Sequence, residues 1–234
     1  ALHPSGTGDY VLHFVQSSAQ RLHNMKTLLL TLLGIALTII SFENPMLFIF
    51  PMWIFVALFK APLTRLFQRF PRNWGFVVAG VLFGMLTEIF AIINNLDVPP
   101  AERILLHPEP IPDLIYGLLY YSFLIFTWYF LLRKINFSAK EIFILTGIFG
   151  IFVEETGQVF LRIFSQPVTG ALYAIIVAFV YGIFPMLAYL LTKESFPAER
   201  KKGRMRYYLL VALALFVQYA IYGNFVYNTI EKYF

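Results

Sequence analysis

Seven apolar runs, at residues 27–42, 46–59, 75–93, 113–132, 142–164, 171–192 and 207–227, leave this chain few ways to fold. A helix needs about 20 apolar residues to cross a hydrocarbon core of ~30 Å. Within lipid each crossing segment must satisfy its own backbone hydrogen bonds, so the runs predict an all-α, polytopic bundle of about seven transmembrane helices. The first two runs are short and only Glu43, Asn44 and Pro45 separate them, which predicts a tight helical hairpin or a partly re-entrant second run. Charged residues are 13% of the chain, against about 25% in a soluble domain.

The loop charges orient the bundle. With the amino terminus cytoplasmic and every run crossing, all 18 Lys and Arg residues except Arg103, Arg162 and Lys232 fall on the cytoplasmic side. That bias fits the positive-inside rule and puts the carboxyl terminus on the far side of the cell membrane. It also accounts for the net charge of +5 without nucleic acid as a partner. Cysteine is absent, which removes disulfides, thiolate nucleophiles and Cys-ligated metals. The first run follows residues 1–26 with no small-residue cleavage site, so the first span is expected to act as an uncleaved signal anchor.

Residues 1–26 read as a tail plus an interfacial helix, ahead of a single transmembrane domain over 27–234. From residue 9 to 26, Leu12, Val15, Ala19, Leu22 and Met25 recur at helical spacing, while His13 and His23 suit a solvated face. Residues 60–74 form a second interfacial segment, with Leu66, Phe67 and Phe70 set against Arg65, Arg69 and Arg72, suited to anionic headgroups. Residues 97–112 carry Pro99, Pro100, Pro108, Pro110 and Pro112 and read as an extracytoplasmic cap. His107, Glu109 and Asp113 make only a weak metal pattern and are expected to be solvated; neither a metal nor a cofactor is predicted.

Function is expected where acids enter the spans. A charged acid near the bilayer centre costs roughly 2.5–3.5 kcal/mol on insertion scales, so Glu88, Glu154 and Glu155 point to a site. On a continuous helix at ~100° per residue, with Glu155 at zero, Arg162 falls at about −20°, Gln158 at about −60° and Glu154 at about −100°. With Glu88 at zero, Asn95 falls at about −20°, Gly84 at about −40° and Gly80 at about −80°. Laying Glu88 on Glu155 aligns the two stripes as a parallel repeat. Gly80 and Gly84 also suit close helix packing in lipid. Tyr116, Tyr120 and Tyr173 enter from the outer ends of the fourth and sixth spans, and Gln218, Tyr222 and Asn224 from the seventh.

Adjacent glutamates in a membrane helix resemble the CAAX-type intramembrane proteases, at Glu154 and Glu155 only. That family also needs histidines on later helices, and here His3, His13, His23 and His107 all lie outside the spans. A retinal protein would need a lysine in the last span, and residues 209–227 contain none. A looser analogy is with acid-bearing membrane enzymes of carotenoid metabolism.

The leading expectation is therefore an intramembrane enzyme doing acid–base chemistry on a lipid or isoprenoid-like substrate, carotenoids included. Glu88 and Glu155 form its acid–base pair, and Glu154 is their electrostatic partner. Asn95, Gln158, Arg162, Tyr116 and Tyr120 bind the substrate. The alternatives are a proton- or cation-coupled small-solute transporter, ranked second because no proline interrupts the third or fifth span, and an accessory subunit of a membrane complex. Expected partners are membrane lipids, a lipid-like or small-molecule substrate, and a membrane-protein partner or second copy. Spans three and five are expected side by side, with Glu88 and at least one of Glu154 and Glu155 facing one cavity that opens toward the outer leaflet or the extracytoplasmic side.

Overall fold

The computed structural model describes residues 7–71, 73–196, 201–202, 205–230 and 232. Among them, six helices are long and apolar enough to cross a membrane, and a bent pair makes a seventh if it counts as one span. The fold is an all-α membrane bundle. Its helices are α1 (Thr7–Ser41), α2 (Ile49–Leu58), α3 (Lys60–Phe67), α4 (Trp74–Asn95), α5 (Pro110–Leu132), α6 (Ala139–Val153), α7 (Gln158–Ser165), α8 (Pro167–Thr192) and α9 (Met205–Ile221).

No break separates the expected surface helix at 9–26 from the first span. Both belong to the 35-residue α1, whose side chains through residue 19, and that of His23, lie outside the described residues. From Leu28 onward its apolar side chains are largely exposed, as suits a lipid-facing helix. α1 packs as a hairpin on α2 and on the 3-10 turn Pro45–Phe48, with Gly34 against Ile54. That turn sits at the height of Phe90, whose ring stacks on Phe48 at 4.8 Å. At helical rise, the turn and α2 together cover about 23 Å, short of the ~30 Å core. The chain then bends by 86° into α3. α3 holds Arg65 out and buries Phe67, in keeping with an interfacial segment.

The core lies between α4, α5, α6 and α8, with α9 closing one side. Trp128 on α5 is fully buried and donates its indole N–H to Thr146 Oγ1 on α6 at 2.9 Å. α6 starts with a capping box: Ser138 Oγ accepts from the Glu141 amide at 3.2 Å, and Glu141 Oε2 from the Ser138 amide at 2.6 Å. The Tyr208 hydroxyl also donates to Glu141, which ties α9 to the same end. A two-residue parallel pairing of Ile135–Asn136 with Lys201–Lys202 joins the loops α5–α6 and α8–α9 without altering the all-α character. Gln68 donates to Glu194 at 3.5 Å, so the end of α3 meets the end of α8. Arg133, Lys134, Lys140, Lys193 and Arg206, at the ends of α5, α6, α8 and α9, therefore share one face of the bundle with α3.

The expectation that spans three and five lie side by side is replaced by a different arrangement. α4 packs chiefly on α5 and α8, and α6 chiefly on α8. Two helical hairpins, α4–α5 and α6–α8, stand next to each other with α8 shared between them.

Candidate intramembrane carboxylate site

Toward the end of the bundle opposite the basic loops lies a cavity of about 470 Å³, lined by Glu88, Glu154, Glu155, Tyr120, Tyr121, Tyr181, Tyr219 and Tyr222 among others. The α4–α5 loop contributes Ile104, Leu105 and Leu106 to its wall. The three intramembrane acids thus face a common space.

Each hairpin delivers one of them by the same device. On α4, Gly84 lies four residues before Glu88, and a Cβ there would come within 2.5 Å of Tyr121 Cγ. The missing side chain lets the Tyr121 ring lie against α4, and its hydroxyl donates to Glu88 Oε2 at 2.7 Å. On α6, Gly150 lies four residues before Glu154, and a Cβ there would run into Tyr181 Cγ. The Tyr181 hydroxyl donates to Glu154 Oε2 at 2.6 Å. Glycine at i−4 stands one turn below the acid on the same face, so the ring fills the step and the hydroxyl reaches the carboxyl. The sequence carries both copies as Phe-Gly-x-x-x-Glu, at residues 83–88 and 149–154. Glu88 therefore corresponds to Glu154. Aligning Glu88 on Glu155 misses this match by one residue.

Span five is not one helix. α6 ends at Val153; Glu154 is extended (φ −61°, ψ 135°), and Glu155, Thr156 and Gly157 have φ of 47°, 54° and 89° before α7 begins. Non-glycine residues in the left-handed region cost roughly 1–2 kcal/mol each. Polar contacts hold the turn. Arg162 grips both oxygens of Glu155, donating to Oε1 at 3.0 Å and to Oε2, and the Tyr173 hydroxyl donates to Oε1 at 2.9 Å. The wheel that placed Glu154, Glu155, Gln158 and Arg162 on one arc does not apply across this break. The Arg162–Glu155 pair forms through the turn instead.

Other anticipated residues lie off the cavity. Gln158 is the exposed first residue of α7. Asn95 serves the backbone, its Nδ2 donating to the Ala91 carbonyl at 2.9 Å and its Oδ1 accepting from the Ile104 amide at 3.2 Å. Tyr116 is fully buried, stacked on the His107 ring at 5.9 Å, and its carbonyl accepts from the Tyr222 hydroxyl at 3.0 Å. Tyr120 does line the cavity.

Asp113 departs most from expectation. It is not a solvated loop residue but fully buried in the first turn of α5. Its Oδ1 accepts from the His107 amide at 2.8 Å, and its carboxyl lies near that of Glu88. Gly117, one turn further along α5, leaves room for the Glu88 side chain, since a Cβ there would lie 2.9 Å from Glu88 Cγ. The signal for Asp113 lies in Pro110 and Pro112: proline suits the first turn of a helix as well as a broken loop. The loop's shape rests on Arg103, which donates to the carbonyls of Val98 at 2.9 Å, Pro108 at 2.6 Å and Leu96 at 3.3 Å. Among the described residues no group of three His, Cys, Asp or Glu is arranged to hold a metal ion.

Fold and cavity define a multi-pass α-helical membrane protein with an acid-lined internal pocket. No family model, curated protein or solved structure matches the chain.

Proposed function

We propose that the chain is a carrier of a small solute across the cell membrane, coupled to protons or cations through Glu88 and Glu154. The observation that carries this reading is the broken fifth span, whose left-handed turn Glu155–Gly157 follows Glu154 at the cavity wall. Discontinuous helices at the binding site and internal repeats recur in secondary transporters. Here the repeat is the pair of Phe-Gly-x-x-x-Glu hairpins, both running the same way through the bundle. The turn borders the cavity, where a break in a membrane-spanning helix is tolerated.

The second reading is an enzyme acting by proton transfer on a lipid or isoprenoid-like substrate. It is favoured by the apolar share of the cavity wall, which includes Ile104, Leu105, Leu106, Val153 and Val180. In that reading Glu88 and Glu154 are the acid–base pair, because Arg162 occupies both oxygens of Glu155.

The test uses the purified chain in liposomes loaded with a pH-reporting dye. Solutes are added class by class: amines, sugars, amino acids and carboxylates. The carrier reading expects one class to drive proton movement, and Glu154→Gln to abolish it in protein that still folds. Conversion of a prenyl or polyene lipid, with no solute-driven proton movement, would replace the carrier by the enzyme.

A further inference from the structure

We infer that the cavity takes an organic ammonium cation with a compact apolar body, a reading that specifies the cargo of the carrier proposed above. Charge is the first argument. Among the described lining residues, Glu88, Glu154 and Glu155 are acidic and none is basic. Arg162 answers Glu155. Glu88 and Glu154 instead receive tyrosine hydroxyls, and Asp113 adds a further carboxyl beside Glu88. In a low-dielectric setting such acids call for protons or for a bound cation, and an anionic cargo would find no basic side chain in the described lining.

Shape and ring geometry are the second argument, independent of the first. Tyr120 stands at the centre of an aromatic group, its ring centroid 5.3 Å from that of Tyr222, 5.5 Å from Tyr121 and 6.4 Å from Tyr181. The ring planes meet at 68°, 69° and 78°, edge to face, and all four tyrosines border the cavity. Tyrosine rings that line a cavity offer π surface to an ammonium, which is attracted to π faces and needs no hydrogen-bond acceptor on each side. Small inorganic cations prefer several oxygen ligands in a tight shell. A volume of about 470 Å³ leaves room for an organic ion and its apolar substituents.

The same carboxyls cannot hold a proton and face an ammonium charge to equal advantage. Binding of the cation therefore displaces a proton to water, with no change in total charge in the cavity. This links the cargo to proton exchange.

Calorimetric titration of the full chain in detergent tests the inference with three probes: choline, benzyltrimethylammonium, and 3,3-dimethyl-1-butanol as the neutral counterpart of choline. Both ammonium ions should bind at least about tenfold more tightly than the neutral alcohol. Tyr120→Phe should keep the affinity within about threefold, whereas Tyr120→Leu should lose about tenfold, because Phe retains a π face. Glu154→Gln should weaken the ammonium ions and leave the alcohol unchanged. Equal binding of alcohol and choline by the unaltered chain overturns the inference, whatever the folding of any variant. Ammonium binding without solute-driven proton movement in liposomes upholds the cargo class and removes the carrier. Coupled movement of a sugar or carboxylate without ammonium binding removes the cargo class and leaves the carrier.

Discussion

Two glycines decide where the acids of this protein can be. Without the gaps at Gly84 and Gly150, Tyr121 and Tyr181 would stand away from α4 and α6, and their hydroxyls would not reach Glu88 and Glu154. A hydrogen bond to a buried carboxyl is among the stronger side-chain contacts, and breaking one that leaves a buried group unsatisfied costs about 1–3 kcal/mol. Gly84→Ala should destabilise the protein by about 1–3 kcal/mol, since its Cβ must push the Tyr121 ring aside. Tyr121→Ala in the same chain should relieve that clash. The double variant will then be less destabilised than the sum of the two single variants, by about 0.5 kcal/mol or more. Denaturant unfolding in detergent gives the cycle. An additive result would mean that Gly84 is felt somewhere other than at Tyr121.

At the scale of elements, the instructive one is span five. Its length and apolarity are legible in the sequence, and so is the presence of a site, because buried acids are costly wherever the helix turns. Its break is not, because helical-wheel reasoning assumes a continuous helix and no proline interrupts residues 142–164. The signal lies in Glu-Glu-Thr-Gly: a glycine after polar residues is the usual left-handed stop of a helix. Asp113 escapes for a related reason, since proline reads as a breaker where it in fact starts α5. The hairpin repeat is half legible. Its two stripes stand out on the wheel, but registering Glu88 on Glu155 hides the Phe-Gly-x-x-x-Glu match one residue away.

The turn itself yields a prediction. Gly157 has φ 89° with no atom closer than Phe152 O at 3.5 Å to a Cβ placed there, so a side chain would fit in space and be strained only in conformation. Gly157→Ala should cost about 1–2 kcal/mol. Arg162→Gln should loosen the same turn by removing the grip on Glu155. In both variants hydrogen exchange of the amides at 154–158 should speed up while that of α4 stays unchanged. Unaltered exchange at 154–158 in both would show that neither residue holds the turn.

For the whole molecule, the two ends of the bundle differ in kind. One end gathers Arg133, Lys134, Lys140, Lys193 and Arg206 at the termini of α5, α6, α8 and α9. The other carries the α4–α5 loop with Glu102, the α7–α8 turn at Gln166 and the cavity. Chain direction follows from the hairpins: α4 leaves the basic end, α5 returns to it, α6 and α7 leave, α8 returns and α9 leaves. α1 and α2 pack as an antiparallel pair, and α2 ends at Leu58 beside the basic loops, so α1 also starts from that end. Lys and Arg favour the cytoplasmic side of a membrane protein. We therefore expect the cavity to open to the outside, with the two termini on opposite sides. The absence of native cysteine makes this directly measurable. Single cysteines at Glu102→Cys and Gln166→Cys, both exposed positions, should react with a membrane-impermeant maleimide in intact cells. Lys134→Cys, exposed at the basic end, should react only after permeabilisation. The opposite pattern would turn the cavity toward the cytoplasm and reverse the direction of any uptake. Labelling of Glu102→Cys and Lys134→Cys from the same side would mean that α5, which joins them, does not cross the membrane.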